Sequence, residues 1–441
     1  MSLRTNSSVR ATDMQRFFWL LYEANDDAWP PLHARHITLL FGRIDVDALA
    51  KSFERVCTMH RALSARFSVD DGVLVQEFDA APPRLELTDV RMHDAETRET
   101  LAASIVSDTF DRRFALTDGD PPFRMHLVLL TDEEAVLART IHHIVSDLTS
   151  SQLFNETLWA VYRELVEGLP STVEGSDFAL FAAHEESLRS DATADKRLFW
   201  RRFLDGTRVP ATRPKRSAQT LELEVADGLD KLIDADVART GVRRSGVVLA
   251  RFAHALALSG SSPEAVGYFT ANRRDHRFER MVGCLAQWVP IRIEPLTDAS
   301  MASIAARCNA AFEEAFANIL PIGEISRAAQ RPRLFDLTLS LILLPSAVEH
   351  PLPSGSRAET LAAKLAPRAQ PLYSPLKIGG LDAVQLSIPM HTAGAKIAIF
   401  VRPRRLVCDF DANLISIEEV ANVLSRFAER DLFAKGSAHG L

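Results

Sequence analysis

Hydrophobic positions in the first half of the chain switch repeatedly between strand-like runs and helical spacing. Residues 36–41 form a short apolar run that predicts a strand. Val46, Leu49, Ala50, Phe53, Val56 and Cys57 then recur at three- and four-residue spacing, which places them on one buried helix face. Asp45 stands where a side chain caps that helix. A strand is predicted near residues 74–78 and a helix around 97–110. The apolar runs 125–130 and 135–141 flank the polar turn Thr131-Asp132-Glu133-Glu134 and predict a hairpin, whose second strand delivers His142 and His143 at its end. From about Ser150 the helical period returns with Leu153, Thr157, Leu158, Val161 and Leu165 on one face, until Gly168 and Pro170 stop it.

Gly168 through Gly175 has linker composition, and a basic, proline-containing loop follows at 208–216. The domain boundary is therefore placed near residue 175. The second half repeats the alternation, with strands predicted at 221–225, 265–270, 288–293, 337–344, 396–401 and 405–410 and helices at 247–258 and 302–317. Residues 345–375, rich in Pro, Ser and Ala, read as a long mobile excursion.

Composition narrows the function classes. With 441 residues, 47% hydrophobic and 25% charged, the chain is neither disordered nor low-complexity, and its length suits two or three domains, two if each is large. A net charge of −7, from 51 Lys plus Arg against 58 Asp plus Glu, lacks the field that neutralises a nucleic-acid backbone. The four cysteines, Cys57, Cys284, Cys308 and Cys408, form no CxxC pair, so no zinc ribbon or redox motif is indicated and a reducing compartment fits. The apolar run from Phe17 to Tyr22 is followed by Glu23, Asp26 and Asp27, too short for a signal peptide or a membrane span. A soluble cytoplasmic protein, with neither membrane nor nucleic acid as partner, is expected.

One segment has sharp chemistry: Ile141-His142-His143-Ile144-Val145-Ser146-Asp147-Leu148. Adjacent histidines at a strand end point to opposite faces, so one can face a cleft while the other anchors in the scaffold. Asp147 can accept hydrogen bonds from the loop or pair with an arginine. The amides that open the following helix favour negative charge developing on an attacked carbonyl. From spacing alone, a metal site, a surface patch and a satisfied core pair stay open beside catalysis. No HExxH pattern or neighbouring cysteine supports zinc, and GxSxG, P-loop and GxGxxG patterns are absent.

In this context the H-H-x-x-x-D pattern resembles the condensation domains of non-ribosomal peptide synthetases, within the chloramphenicol acetyltransferase-like superfamily. Thr12-Asp13-Met14-Gln15 with Trp19 is similar to the opening S-x-A-Q motif, and Met59-His60-Arg61-Ala62-Leu63 through Phe67 to R-H-E-x-L-R-T-x-F, with Ser64 replacing an Arg. Asp118-Gly119-Asp120-Pro121 with Arg124 resembles G-P-L-x-R, and Asp177-Phe178-Ala179 with Phe181 resembles D-F-A-x-W. Val282-Gly283 and Arg292 fit I-G-x-F-V-N-T-x-x-x-R, while Leu285-Ala286-Gln287-Trp288 departs from its F-V-N-T core. Pro332 through Phe335 resembles R-N-P-L-F. The marks of the cyclisation, epimerisation and plant acyltransferase branches are absent.

The resemblance implies an α/β (α+β) fold of two acetyltransferase-like lobes, 1–175 carrying HHxxxD and 176–441 with bridging elements, forming a V-shaped pseudo-dimer around a central tunnel. It assigns His143 as the catalytic residue at the lobe interface. His142 becomes a scaffold histidine and Asp147 a structural residue paired with a second-lobe arginine, for which Arg273 is the positional match. Leu148, where many relatives carry Gly, and Gln287, Trp288 and Ser340 are the tunnel-lining candidates. No metal or resident cofactor is implied. The phosphopantetheine arm arrives on a peptidyl or acyl carrier protein.

The implied reaction joins a carrier-bound acyl or aminoacyl thioester to an amine or hydroxyl acceptor, small or carrier-bound, in non-ribosomal peptide or hybrid polyketide biosynthesis, chain release included. A monomeric, free-standing enzyme is expected, because no adenylation domain is present and Gly379-Gly380 lacks an attachment serine. Two alternatives stay open: an O-acyltransferase using acyl-CoA or a polyketide thioester, and a catalytically silent carrier-binding module.

Overall fold

The computed structural model describes residues 8–24, 32–191, 193–210, 217–226, 228–258, 263–296, 300–342, 352–367, 369–371, 375–378, 380–388 and 395–433. Among these the chain is mixed α/β, with its strands in three sheets. A seven-stranded sheet runs in the order Gln370–Pro371, Leu381–Ile388, His33–Phe41, Glu134–His142, Phe123–Leu129, Glu86–Asp89, with Leu376–Ile378 paired to Leu381–Ile388. Its central strand Glu134–His142 is buried on both faces, which is why it shows no apolar–polar alternation, with Arg139 buried on Asn155 and Ser151. Ala135, Leu137 and Ile141 face a core shared with helices Val46–Met59 and Leu148–Glu167. Val136 and Ala138 face a second core on the opposite side, against helix Ala95–Asp111.

That second core corrects the reading of residues 345–375. The segment carries a helix, Arg357–Leu365, whose Ala358, Leu361, Ala362 and Leu365 pack into it. Arg357 bridges Glu99 at 2.6 Å and Glu134 at 2.9 Å, and Lys364 also pairs with Glu99. The Pro and Ser composition marks the ends of this element: Ser356 accepts a hydrogen bond from the Glu359 amide at 3.1 Å and caps it. Positions 345–351, 368 and 372–374 of that segment, 211–216 of the basic loop, 343–344 of a predicted strand and Gly379 lie outside the described residues. Strand Leu381–Ile388, which the apolar pattern does not predict, pairs antiparallel with His33–Phe41. The sheet that carries the histidines is thus completed by chain from near the C-terminus.

A six-stranded sheet has the order Gln287–Ile293, Glu264–Thr270, Leu337–Leu341, Ile397–Val401, Arg405–Asp411, Ala218–Glu224. One face, with Val289, Tyr268, Leu339 and Ile399, forms a core with helices Arg244–Ala255, Met301–Ala317 and Ile417–Phe427. The other face carries Trp288, Phe269, Ser340 and Phe400 in register. A small sheet, Val9–Arg10, Val73–Glu77, Arg66–Asp70, lies beside helix Asp13–Ala24. No helix among the described residues is long and apolar enough to cross a membrane.

Candidate active site

The two histidines do not both end the strand. His142 is its last residue, whereas His143 opens a 3-10 turn, His143–Val145, so a change of backbone and not strand alternation sets the imidazoles apart. Register with the neighbouring strand stops at His33 opposite His142, and the His143 amide turns to the Leu32 carbonyl at 2.8 Å.

His142 is 1% exposed. Its Nδ1 accepts the Ile144 amide at 3.0 Å, and its ring lies 5.6 Å from His33 and 6.1 Å from both Phe114 and Tyr22. Burial, followed by the neighbouring His33, His143 and Arg113, holds its pKa well below the usual histidine value, so the ring is neutral at pH 7. Tyr22 and Phe114 separate it from an open cleft of about 560 Å³.

His143 is half-buried and stacks on Phe18, with centroids 5.5 Å apart and planes 23° apart. Its Nδ1 lies 3.4 Å from the Ser146 carbonyl, an oxygen that can only accept, a contact that favours the tautomer protonated on Nδ1. Its Nε2 is buried and has no hydrogen-bond partner among the described residues. Burial lowers the pKa, against smaller upward effects of the Ser146 carbonyl and Asp147. The result is an imidazole that is neutral at pH 7, with Nε2 unpartnered among the described residues. The turn is held from behind by Gln15, whose Nε2 donates to the Ile144 carbonyl at 3.1 Å while exchanging hydrogen bonds of 2.8 and 2.9 Å with Gln76.

Asp147 caps helix Leu148–Glu167, accepting the Ser150 amide at 2.8 Å. Arg273 reaches it from the other half of the sequence with two hydrogen bonds of 2.9 Å each, and the Leu285 and Ala286 amides donate at 3.1 Å. Burial raises the carboxyl pKa, but the Arg273 charge and hydrogen bonds and those from Ser150 outweigh it, leaving it below the usual carboxylate range. Arg273 also donates to Ser150 Oγ and to the Ala271 and Met281 carbonyls. Ser150 Oγ in turn donates to the Gly283 carbonyl at 2.6 Å and accepts its amide at 3.0 Å. A Cβ at Gly283 would run into the Phe178 ring, so this approach needs glycine.

The remaining candidates spread outward. Leu148 opens the capped helix and is half-buried. Gln287 is 5% exposed, opposite Thr270 in the ladder. Trp288 touches Phe17 at 5.9 Å and Phe269 at 5.2 Å. Ser340, 5% exposed, lies two strands further in, between Phe269 and Phe400. Sequence reasoning missed Phe17 and Phe18, whose apolar run served only to test for a membrane segment, and Ser150, which no motif marked. No group of three or more His, Cys, Asp or Glu able to hold a metal occurs among the described residues.

A family model described as the condensation domain matches residues 6–350. Malpinin synthetase of Mortierella alpina is 26% identical over 349 residues, covering 74% of this chain and 4% of that protein, so the chain spans a small part of that much longer relative. The X-domain from teicoplanin biosynthesis superposes with a TM-score of 0.74 at 22% identity, over 98% of this chain and 96% of that one. The first condensation domain of the calcium-dependent antibiotic synthetase, in complex with a substrate analogue, gives 0.70 at 18% identity, over 98% and 97%. These likenesses give the chloramphenicol acetyltransferase-like fold. With the family model covering most of the sequence around an intact His142-His143…Asp147 motif, this chain belongs to the condensation-domain family.

Proposed function

We propose that this chain transfers an acyl or aminoacyl group from a carrier-held phosphopantetheine thioester to an amine or hydroxyl acceptor, with His143 as the catalytic base. The observation that carries this reading is the placement of His143: Nδ1 lies 3.4 Å from the Ser146 carbonyl, and Nε2 has no hydrogen-bond partner among the described residues. The nucleophile attacks the thioester carbonyl while Nε2 accepts its proton, and a tetrahedral oxyanion forms. Collapse breaks the C–S bond, and the proton passes from Nε2 to the leaving thiolate. No acyl-enzyme is needed.

His142 is the neutral support of the turn in this reading. Asp147 and Arg273 join the helix behind His143 to the segment containing Met281 and Gly283, so they position the site and take no part in proton transfer. Two lobes divide near residue 175, with Arg357–Leu365 and Leu381–Ile388 as the bridging elements that the second contributes to the first sheet. Leu148, Gln287, Trp288 and Ser340 line the substrate path. The chain acts as a monomer on a peptidyl or acyl carrier protein.

Mass spectrometry of products from carrier-loaded and CoA-linked acyl donors, each offered amine and alcohol acceptors, tests this. Product from carrier-loaded donors that His143→Ala abolishes is the expected result. Equal turnover of acyl-CoA would shift the reading to an O- or N-acyltransferase independent of carriers. Undiminished product from the variant would remove the catalytic role.

A further inference from the structure

From His143 a continuous run of aromatic rings crosses from helix Asp13–Ala24 to the face of the six-stranded sheet. Phe18 stacks on His143, Phe17 meets Phe18 edge-on at 5.5 Å, Trp288 meets Phe17 at 5.9 Å, and Phe269 meets Trp288 at 5.2 Å. Phe400 stands on the same sheet face, one strand beyond Ser340. None of these rings is fully covered: Phe17 is 36% exposed, and Phe18, Trp288, Phe269 and Phe400 are half-buried. Leu20, one helical turn after Phe17, is 53% exposed. Beside His143 the Asp147 carboxylate and the Arg273 guanidinium neutralise each other, so that pair presents no net charge to a ligand.

We infer that the Phe17–Trp288–Phe269 wall selects the acyl portion of the thioester, favouring aryl and alkyl chains over chains that carry a carboxylate. Open ring faces that begin at the imidazole can be covered by an apolar group whose carbonyl sits at His143. A carboxylate laid against them would lose water without gaining a counter-ion. The ligand's identification as an acyl thioester rests on the reaction proposed above; the apolar preference rests on the rings.

The test is equilibrium binding of phenylacetyl, octanoyl and succinyl N-acetylcysteamine thioesters to the full chain without acceptor, by titration calorimetry. The two apolar probes are expected to bind about tenfold more tightly than the succinyl one, the scale of one or two ring contacts. Trp288→Ala and Phe17→Ala should each remove most of that difference while leaving the melting temperature within about 2–4 °C of the parent, because neither side chain is fully buried. Equal affinity for all three probes overturns the inference, as does a preference that survives both substitutions. Adding an amine and following product separates the two readings. Acyl preference without product removes the condensation chemistry and keeps the wall; product without acyl preference does the reverse.

Discussion

Arg273 and Asp147, 126 residues apart, form a two-pronged ion pair whose side chains are only 6% and 5% exposed. Each partner of such a pair depends on the other, because a lone buried charge costs more than the pair contributes. Asp147→Ala and Arg273→Ala should each lower the unfolding free energy by ~3–5 kcal/mol, and the double variant by less than the sum. Urea unfolding of the four proteins checks this; additive losses would refute the coupling. Arg273→Lys, which keeps the charge but cannot present the same fork, should recover only part of the loss.

His143 and His142 should separate function from stability. His143→Ala should reduce kcat by at least ~10²-fold, the lower range for a general base, with little change in melting temperature. His142→Ala leaves the Ile144 amide without its acceptor inside the protein, which should cost about 1–3 kcal/mol. For the parent, kcat/KM should be flat from pH 7 to 8 and fall on the acid side below ~6.5, because burial lowers the His143 pKa from its ordinary value. An acid limb centred above pH 7 would contradict a neutral base.

Much of this arrangement was legible in the sequence, and its gaps have physical causes. Strands and helices around the histidines follow from apolar runs and apolar period, since the strands are buried on both faces and the helices bury a stripe; their ends are legible too, as at Asp45, whose side chain accepts the Ala48 amide. Helix Arg357–Leu365 escaped because a nine-residue element built on Ala and Leu carries too short a stripe to stand out among Pro and Ser. Strand Leu381–Ile388 escaped because its partner lies near the other end of the chain. At the site, the motif marked the histidines and the aspartate. Arg273 came from the order of motifs alone, since no local spacing specifies an ion pair between segments so far apart. The contact of Phe17 with Trp288 is likewise a product of packing between distant segments, which no periodicity encodes.

Four histidines should make the fold acid-labile. Burial depresses His33 and His60 to about 4 and holds His36 and His142 well below the usual value. An imidazole with a depressed folded pKa gives stability that is complete above its unfolded value of ~6.5 and is lost as pH falls toward the folded value. Each withheld proton lowers stability by up to ~1.4 kcal/mol per pH unit through that window. Urea midpoints should therefore drop steeply between pH 6.5 and about 4. A midpoint unchanged from pH 7 to pH 5 would count against neutral burial of these rings.

Glu185 works in the opposite direction. It is 5% exposed, donates nothing while ionised, and shares Arg189 with Asp13 at 2.5 and 2.6 Å. Burial, and after it the Asp13 charge, raises its pKa to about 7. A raised folded pKa gives stability that is complete below the unfolded value of ~4.3 and is lost as pH rises to the folded one. Glu185→Gln removes this titration, so the parent's advantage over the variant should shrink from pH 4.5 to 7 and then level off. A stability difference independent of pH would mean that Glu185 is ionised throughout.

Gly283 should tolerate no side chain. Its carbonyl and amide both bond Ser150 Oγ, and a Cβ there would overlap a Phe178 ring carbon. Phe178 is fully buried, so the ring cannot swing into solvent and the segment containing Gly283 has to move. Such overpacking should cost about 1–3 kcal/mol. Because that segment also supplies the Met281 carbonyl to Arg273 and leads into the Leu285 and Ala286 amides on Asp147, the displacement should reach the helix cap behind His143. Gly283→Ala is therefore expected to lower kcat together with stability. Adding Phe178→Leu, which removes the clashing ring, should cost less in the Gly283→Ala background than in the parent. Equal costs in the two backgrounds would show that the strain lies elsewhere.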